Sequence, residues 1–199
     1  GGETGLRAVQ LFGADPEIMA EMAKRVEDDF DILDVNMGCP VPKVVRNHEG
    51  SALMEDLPLA EKILSRMVQA VDKPVTVKCR LGFTDSRINV LEFARCAESA
   101  GVSAIVIHGR TREQYYRGKA NWEWIRRAKE VVQIPVFGNG DIFTEEDAEA
   151  MLLSTGADGI ALARGIQGNP FLIRRIREYL GRGEKLPWVT KEERKEMML

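Results

Sequence analysis

Six short β-rich runs recur along the chain, AVQLF (8–12), DILDVN (31–36), PVTVKCR (74–80), AIVIH (104–108), IPVFGN (134–139) and GIALA (159–163). Each is followed by a stretch with helical periodicity, predicting helices over 16–28, 57–71, 87–100, 121–132, 144–155 and 169–180. Asp15-Pro16 and Thr144 with Asp147 read as helix starts, and Gly101 as a stop. Six βα units in succession call for a parallel sheet with helices packed outside it. Such a sheet is either doubly wound, with helices on both faces, or curled into an eight-stranded barrel.

The polar residues inside the strands choose between them, because successive side chains point to opposite faces. In PVTVKCR, Val75, Val77 and Cys79 share one face while Thr76, Lys78 and Arg80 share the other. Leu33 and Val35 oppose Asp34 and Asn36; Ile105 and Ile107 oppose Val106 and His108; Val9 and Leu11 oppose Gln10. A doubly wound sheet needs both strand faces apolar. One greasy face and one face with polar groups near the carboxyl ends fit a barrel, whose active sites lie at that end. The expectation is an α/β fold of the (β/α)8 TIM-barrel type, present as an internal fragment with about six βα units. The chain opens on what reads as a connection into a strand and ends in KEERKEMML, the start of an amphipathic helix. With strand edges exposed at AVQLF and GIALA, the isolated fragment is expected to be marginally stable and prone to self-association.

The formal net charge of −3 offers no global attraction for a polyanion, so any nucleic acid has to be held by a local basic patch. Three scattered cysteines (Cys39, Cys79, Cys96) and two histidines (His48, His108) provide neither a disulfide framework nor zinc spacing. No run has membrane-spanning length and the first residues lack a signal-peptide pattern, so a cytoplasmic protein without a resident metal is expected.

GNGDI (138–142) and ARGIQGNP (163–170) end the last two strands and precede helices. In a barrel this is where backbone amides and a helix terminus commonly receive a phosphate, and Arg164 can add a charge-assisted contact. Tight βα turns alone would also explain the glycines. Lys78 reads as an interior lysine kept charged by an anionic partner, or else as the partner of Asp34 or Asp141. His108 shares its level with Gln10, Asn36 and Lys78, although a lone His at a strand end is commonly a packing residue. Cys79 and Cys96 fall on apolar faces and read as core. Cys39 differs: in DVNMGCPVPK it follows a strand and opens a loop stiffened by Pro40 and Pro42.

VQLFGADP, DVNMGCPVPKVVRNHEGSALM, VTVKCRLGF, VIHGRTREQYYRGKANW, GNGDI and ARGIQGNPF, in this order, resemble the tRNA-dihydrouridine synthases. These are flavin enzymes built on a barrel followed by a small helical domain. The resemblance implies a partial barrel over residues 1–185, without its first strands, and the start of a truncated C-terminal helical tRNA-binding domain over 186–199. The family's opening APM-type segment is absent, and ARG stands where GRG is more usual. It implies FMN-dependent reduction of a tRNA uridine to 5,6-dihydrouridine with NADPH as reductant, and Cys39 as the proton donor. An unperturbed thiol has a pKa of about 8.5 and so carries its proton at neutral pH. By the same resemblance Gln10, Lys78 and His108 surround the flavin ring, and Asn139, Gly140, Asp141, Ala163 and Arg164 its phosphate. Asn36 holds the uracil edge, while Lys43, Arg46, Arg80, Arg110 and Arg112 hold tRNA, with Tyr115 or Tyr116 for stacking. The target base has to be turned out of the tRNA into the pocket. Three other readings remain open: a dihydroorotate- or dihydropyrimidine-type flavin oxidoreductase acting on a free small molecule, an aldolase-like lyase using Lys78, and a non-catalytic RNA-binding fragment.

Overall fold

The computed structural model describes residues 5–197. Six parallel strands, β1 (Ala8–Leu11), β2 (Ile32–Met37), β3 (Val75–Cys79), β6 (Ala104–His108), β7 (Val136–Asn139) and β8 (Gly159–Ala161), hydrogen-bond in the order of the chain. A doubly wound sheet reverses direction from its first strand; this one does not. The helices α1 (Pro16–Val26), α3 (Leu57–Ala70), α4 (Val90–Ser99), α5 (Glu123–Val131), α6 (Glu145–Thr155) and α7 (Leu172–Arg182) pack each against the next along one face of the sheet. The chain is thus a run of six βα units with barrel-type winding.

Local chemistry explains the helix ends. Asp15 accepts from the amides of Glu17 (2.9 Å) and Ile18 (3.0 Å), with Pro16 in the first turn of α1. Thr144 and Asp147 form a reciprocal capping box on α6, which ends at Gly156 in the left-handed conformation. The apolar strand face and the inner helix faces close into one core: Leu33, Val35, Met37, Val75, Val77, Cys79, Ile105, Ile107 and Val136 against Ile63, Leu64, Met67, Phe93, Ala94 and Met151.

Two features depart from expectation. The helix predicted over 87–100 begins only at Val90, because Gly82–Thr84 (β4) and Arg87–Ile88 (β5) form a small antiparallel hairpin before it. The loop after Cys39 contains a short helix, α2 (Pro42–Arg46), with Pro42 in its first turn, and a 3-10 segment over Gly50–Glu55. The segment after α7 leads to α8 (Lys191–Met197). No helix among the described residues is long and apolar enough to cross a membrane.

Candidate active site

Register turns the period-2 pattern into a site. Gln10 lies beside Asp34, Asn36 beside Lys78, and His108 beside Asn139 across neighbouring strands. Paired residues in a parallel sheet point to the same side, so these polar groups converge at the carboxyl end of the inner face. All but Asp34 line a cleft of about 300 Å³, the lower end of the range for small-molecule sites. Cys39, Gln10, Asn36, Lys78, Arg80, His108, Asn139, Gly140, Asp141, Ala163 and Arg164 all border it, together with Tyr116.

The thiol loop is held from three directions. From below, Asn36 Oδ1 accepts from the amides of Gly38 (3.1 Å) and Cys39 (2.9 Å), while its Nδ2 donates to Gln10 Oε1 (2.8 Å). Gln10 in turn donates to Asp34 (2.6 Å), whose other oxygen accepts from Thr76 Oγ1 (2.6 Å). From outside, Ser51 donates to the Cys39 carbonyl through Oγ (2.8 Å) and its amide (3.1 Å). The preceding Gly50 has φ 61°, and a Cβ there would lie 2.9 Å from the Cys39 carbonyl oxygen. The EGSALM turn therefore works as a clamp on the cysteine. From the third side, Arg80 donates from Nε to the Gly38 carbonyl (2.8 Å).

The opposite wall is charged. Asp141, a non-glycine residue at φ 58°, receives Arg110 Nη2 (2.7 Å), Arg164 Nη2 (2.9 Å) and the Ala120 amide (2.7 Å). Burial pulls its carboxyl upward, but the Ala120 amide and the two guanidiniums outweigh it and hold the pKa below the ordinary value. His108 is only 6% exposed. Its pKa is driven down to about 2 by burial first and then by the cations of Arg80, Lys78, Arg110 and Arg164, so the imidazole is neutral. Arg110 Nη1 lies 3.4 Å from His108 Nε2, which can only accept from it.

Lys78 projects into the space between these walls, its pKa lowered mainly by burial. Pairing with Asp34 or Asp141 does not occur; those carboxylates are already taken by Gln10 and Thr76, and by Arg110 and Arg164. A lysine without a carboxylate partner among the described residues, in a cleft bordered by Arg80 and Arg164, marks a place for an anionic or electron-rich ligand.

Several predicted residues are buried beneath the cleft surface or lie outside it, and Arg80 reaches the cleft only by its edge. Arg110 is 1% exposed and lies beneath it, donating to the carbonyls of Arg117 (3.0 Å) and Gly118 (2.7 Å) besides Asp141. Arg80 is 2% exposed, with its Nη1 on the carbonyls of Thr111 and Tyr115 (2.9 Å each). Lys43 and Arg46 are exposed on α2, and Arg112 packs over the Phe83 ring at 5.1 Å. Tyr115, exposed and at φ 58°, meets Tyr116 edge-on at 5.2 Å. Cys79 is buried, its thiol pushed up to about 12 by burial, whereas Cys96 is half-buried and its thiol lies 3.6 Å from the Leu57 carbonyl. Ser51 and the bordering residues Phe143 and Gln167 escaped sequence reasoning; of these only Ser51 carried a signal, its place after an obligatory-looking glycine.

Among curated proteins, the chain is 44% identical to tRNA-dihydrouridine synthase B of Shewanella oneidensis over 199 residues, covering all of this chain and 62% of that protein. It is 42% identical to the protein of the same name from Vibrio vulnificus, with the same coverage. The chain thus spans about three-fifths of these relatives. Among solved structures, the old yellow enzyme homologue from Zymomonas mobilis superposes with a TM-score of 0.60 at 18% identity, over 89% of this chain and 54% of that one, which speaks for the fold. The family model described as dihydrouridine synthase matches residues 2–199, and the chain belongs to that family.

Proposed function

We propose that this chain carries the catalytic core of an FMN-dependent reductase that converts a uridine of tRNA to 5,6-dihydrouridine, with NADPH as the reductant. The observation that carries the reading is the convergence of Cys39, Lys78 and His108 with the Gly140 and Arg164 turns on one cleft. The residues suit a phosphorylated, electron-rich cofactor. Among the described residues Lys78 has no carboxylate partner, and the turns are cut close: a Cβ at Gly140 would sit 2.9 Å from His108, and one at Gly165 2.2 Å from the Ile142 carbonyl oxygen. In this reading Lys78, His108 and Gln10 hold the flavin ring, and Asn139, Gly140, Ala163 and Arg164 its phosphate. The Asp141 carboxylate contributes indirectly, by orienting Arg164, since like charges repel.

When bound, FMN supplies the hydride. Cys39 holds a proton at Sγ on a loop fixed by Asn36, Ser51 and Arg80, and delivers it to the other carbon of the uracil double bond. One N–H of Asn36 is left for the base, its other groups being engaged with Gln10, Gly38 and Cys39. Exposed Lys43 and Arg46 on α2, directly after the thiol loop, favour a polyanionic substrate over a free pyrimidine. The helix α8 is read as the opening of a tRNA-gripping domain, and the cytoplasm as the site of action.

The test is flavin absorbance on the purified chain, followed by dihydrouridine formation in tRNA given FMN and NADPH by the protein extended to its relatives' length. Flavin retention with tRNA-dependent product supports the reading; product from free uracil or orotate but not from tRNA overturns it.

A further inference from the structure

Two buried arginines meet in one loop. Residues 111–119 connect the end of β6 to α5 and bring Tyr116 to the cleft. Arg80 holds the front of this loop through the carbonyls of Thr111 and Tyr115, and its Nε holds the Gly38 carbonyl of the thiol loop. Arg110 holds the back through the carbonyls of Arg117 and Gly118, and its Nη2 holds Asp141 of the phosphate turn. Asp141 closes the circuit by binding Arg164 and the Ala120 amide just beyond the loop.

We infer that Arg80 and Arg110 are positioning residues that couple the two ends of the cleft, so that the state of the Asp141 turn is transmitted through the 111–119 loop to the placement of the Cys39 thiol. Three features support this. Each guanidinium is almost wholly buried and bridges two separate segments, Arg80 through carbonyls of both and Arg110 through two loop carbonyls and the Asp141 carboxylate, so neither segment can shift without breaking charge-assisted bonds inside the protein. The loop between them includes a strained non-glycine residue, Tyr115, and is exposed over 115–119; there the arginines hold the carbonyls of Tyr115, Arg117 and Gly118, while its first residues also bond the hairpin through Gly82, Phe83 and Asp85. Direct contact between Asp141 and the thiol loop is not needed: the path runs Asp141, Arg110, Gly118, Tyr115, Arg80, Gly38, and each link is a hydrogen bond or continuous backbone. The inference uses the proposed reaction only for the importance of Cys39; the coupling concerns the fold and stands or falls separately from flavin or tRNA binding.

A cycle of conservative variants tests it on the unliganded protein. Iodoacetamide alkylation of Cys39 is followed peptide by peptide by mass spectrometry, with buried Cys79 as an internal gauge of global unfolding. Asp141→Asn and Arg80→Lys are each expected to change the Cys39 rate by about threefold or more, and the double variant by no more than the larger single effect. Ser51→Ala, which touches the Cys39 carbonyl directly, is expected to multiply with Asp141→Asn instead. Because Arg80→Lys keeps its charge, a purely through-space field from Asp141 would leave the two effects multiplicative. An unchanged Cys39 rate in Asp141→Asn, or a double variant equal to the product of the singles, overturns the coupling. Should Asp141→Asn label Cys79, Asp141→Glu serves in the same cycle and is judged by the same criterion. Absence of flavin binding by the wild-type protein would defeat the functional reading and leave this result untouched.

Discussion

On the β1–β3 side of the cleft, Cys39 is held by a relay of amides, hydroxyls and one carboxylate running through Asn36, Gln10, Asp34 and Thr76. On the β6–β8 side, the groups are ionic: Arg110 and Arg164 converge on Asp141, and His108 is kept neutral beside them. Hydrogen bonds between mainly uncharged groups fix geometry with little response to salt. Ionic clusters with cations in excess attract an anion and respond to the loss of any member. The difference teaches that one wall is built to fix the position of the Cys39 thiol and the other to receive charge, with Lys78 between them.

Separate failure of the two walls is the sharpest way to test the contrast. Cys39→Ala in the full-length protein should lower dihydrouridine formation by about 10²–10⁴-fold while flavin binding and melting temperature hold; loss of flavin together with activity would collapse the distinction. Lys78→Met should weaken FMN binding by about ten- to a hundredfold in a titration, yet leave the unliganded protein as stable or more so, because a buried unpaired charge is removed. Destabilisation without weaker binding would assign Lys78 to the framework.

The pH dependence carries the next effect. His108 lies near 2 when folded against 6.5 unperturbed, so between those values the unfolded chain binds the extra proton. The stability from neutral His108 is complete above the unfolded pKa and is lost as pH falls toward the folded one. Replacing it (His108→Asn) should flatten melting temperature against pH from about pH 6.5 to 5, removing a slope of up to about 1.4 kcal/mol per pH unit. An unaltered slope would show that other groups dominate. Smallest is Ser51→Ala, which removes one hydrogen bond to the Cys39 carbonyl and should cost about 1 kcal/mol in denaturant unfolding while altering thiol alkylation. A change in stability alone would limit Ser51 to packing.

Much of this wall-and-wall design could be read from the chain before its structure. Alternation in VTVKC placed Lys78 inward and Cys79 in the core, and the same rule placed Asn36 and His108. What escaped was set by distant partners. Arg80 and Arg110, expected to hold tRNA, are instead buried, which the chain does not announce because charged residues are seldom buried alone; the carbonyls that make their burial tolerable come from Gly38, Thr111, Tyr115, Arg117 and Gly118. The helix expectation over 87–100 took in Arg87 and Ile88, the second strand of the hairpin, because strands of three and two residues are too short to show a period. Asp141 and Tyr115 in the left-handed region carried no glycine to announce them.

The strand order has a consequence for synthesis. Each strand of the main sheet hydrogen-bonds to the one made just before it in that sheet, in the order β1, β2, β3, β6, β7, β8. Among the described residues no strand of this sheet waits for a partner encoded at the far end of the chain, so the loops to be closed are single crossovers such as the 42 residues separating paired Leu33 and Val75. As the polypeptide leaves the ribosome, each βα unit docks on an edge that already exists, and its helix covers the apolar face just laid down. On the growing side, unpaired backbone groups are confined at any moment to the newest strand, whereas the outer edge of β1, which pairs only with β2, stays open from first to last.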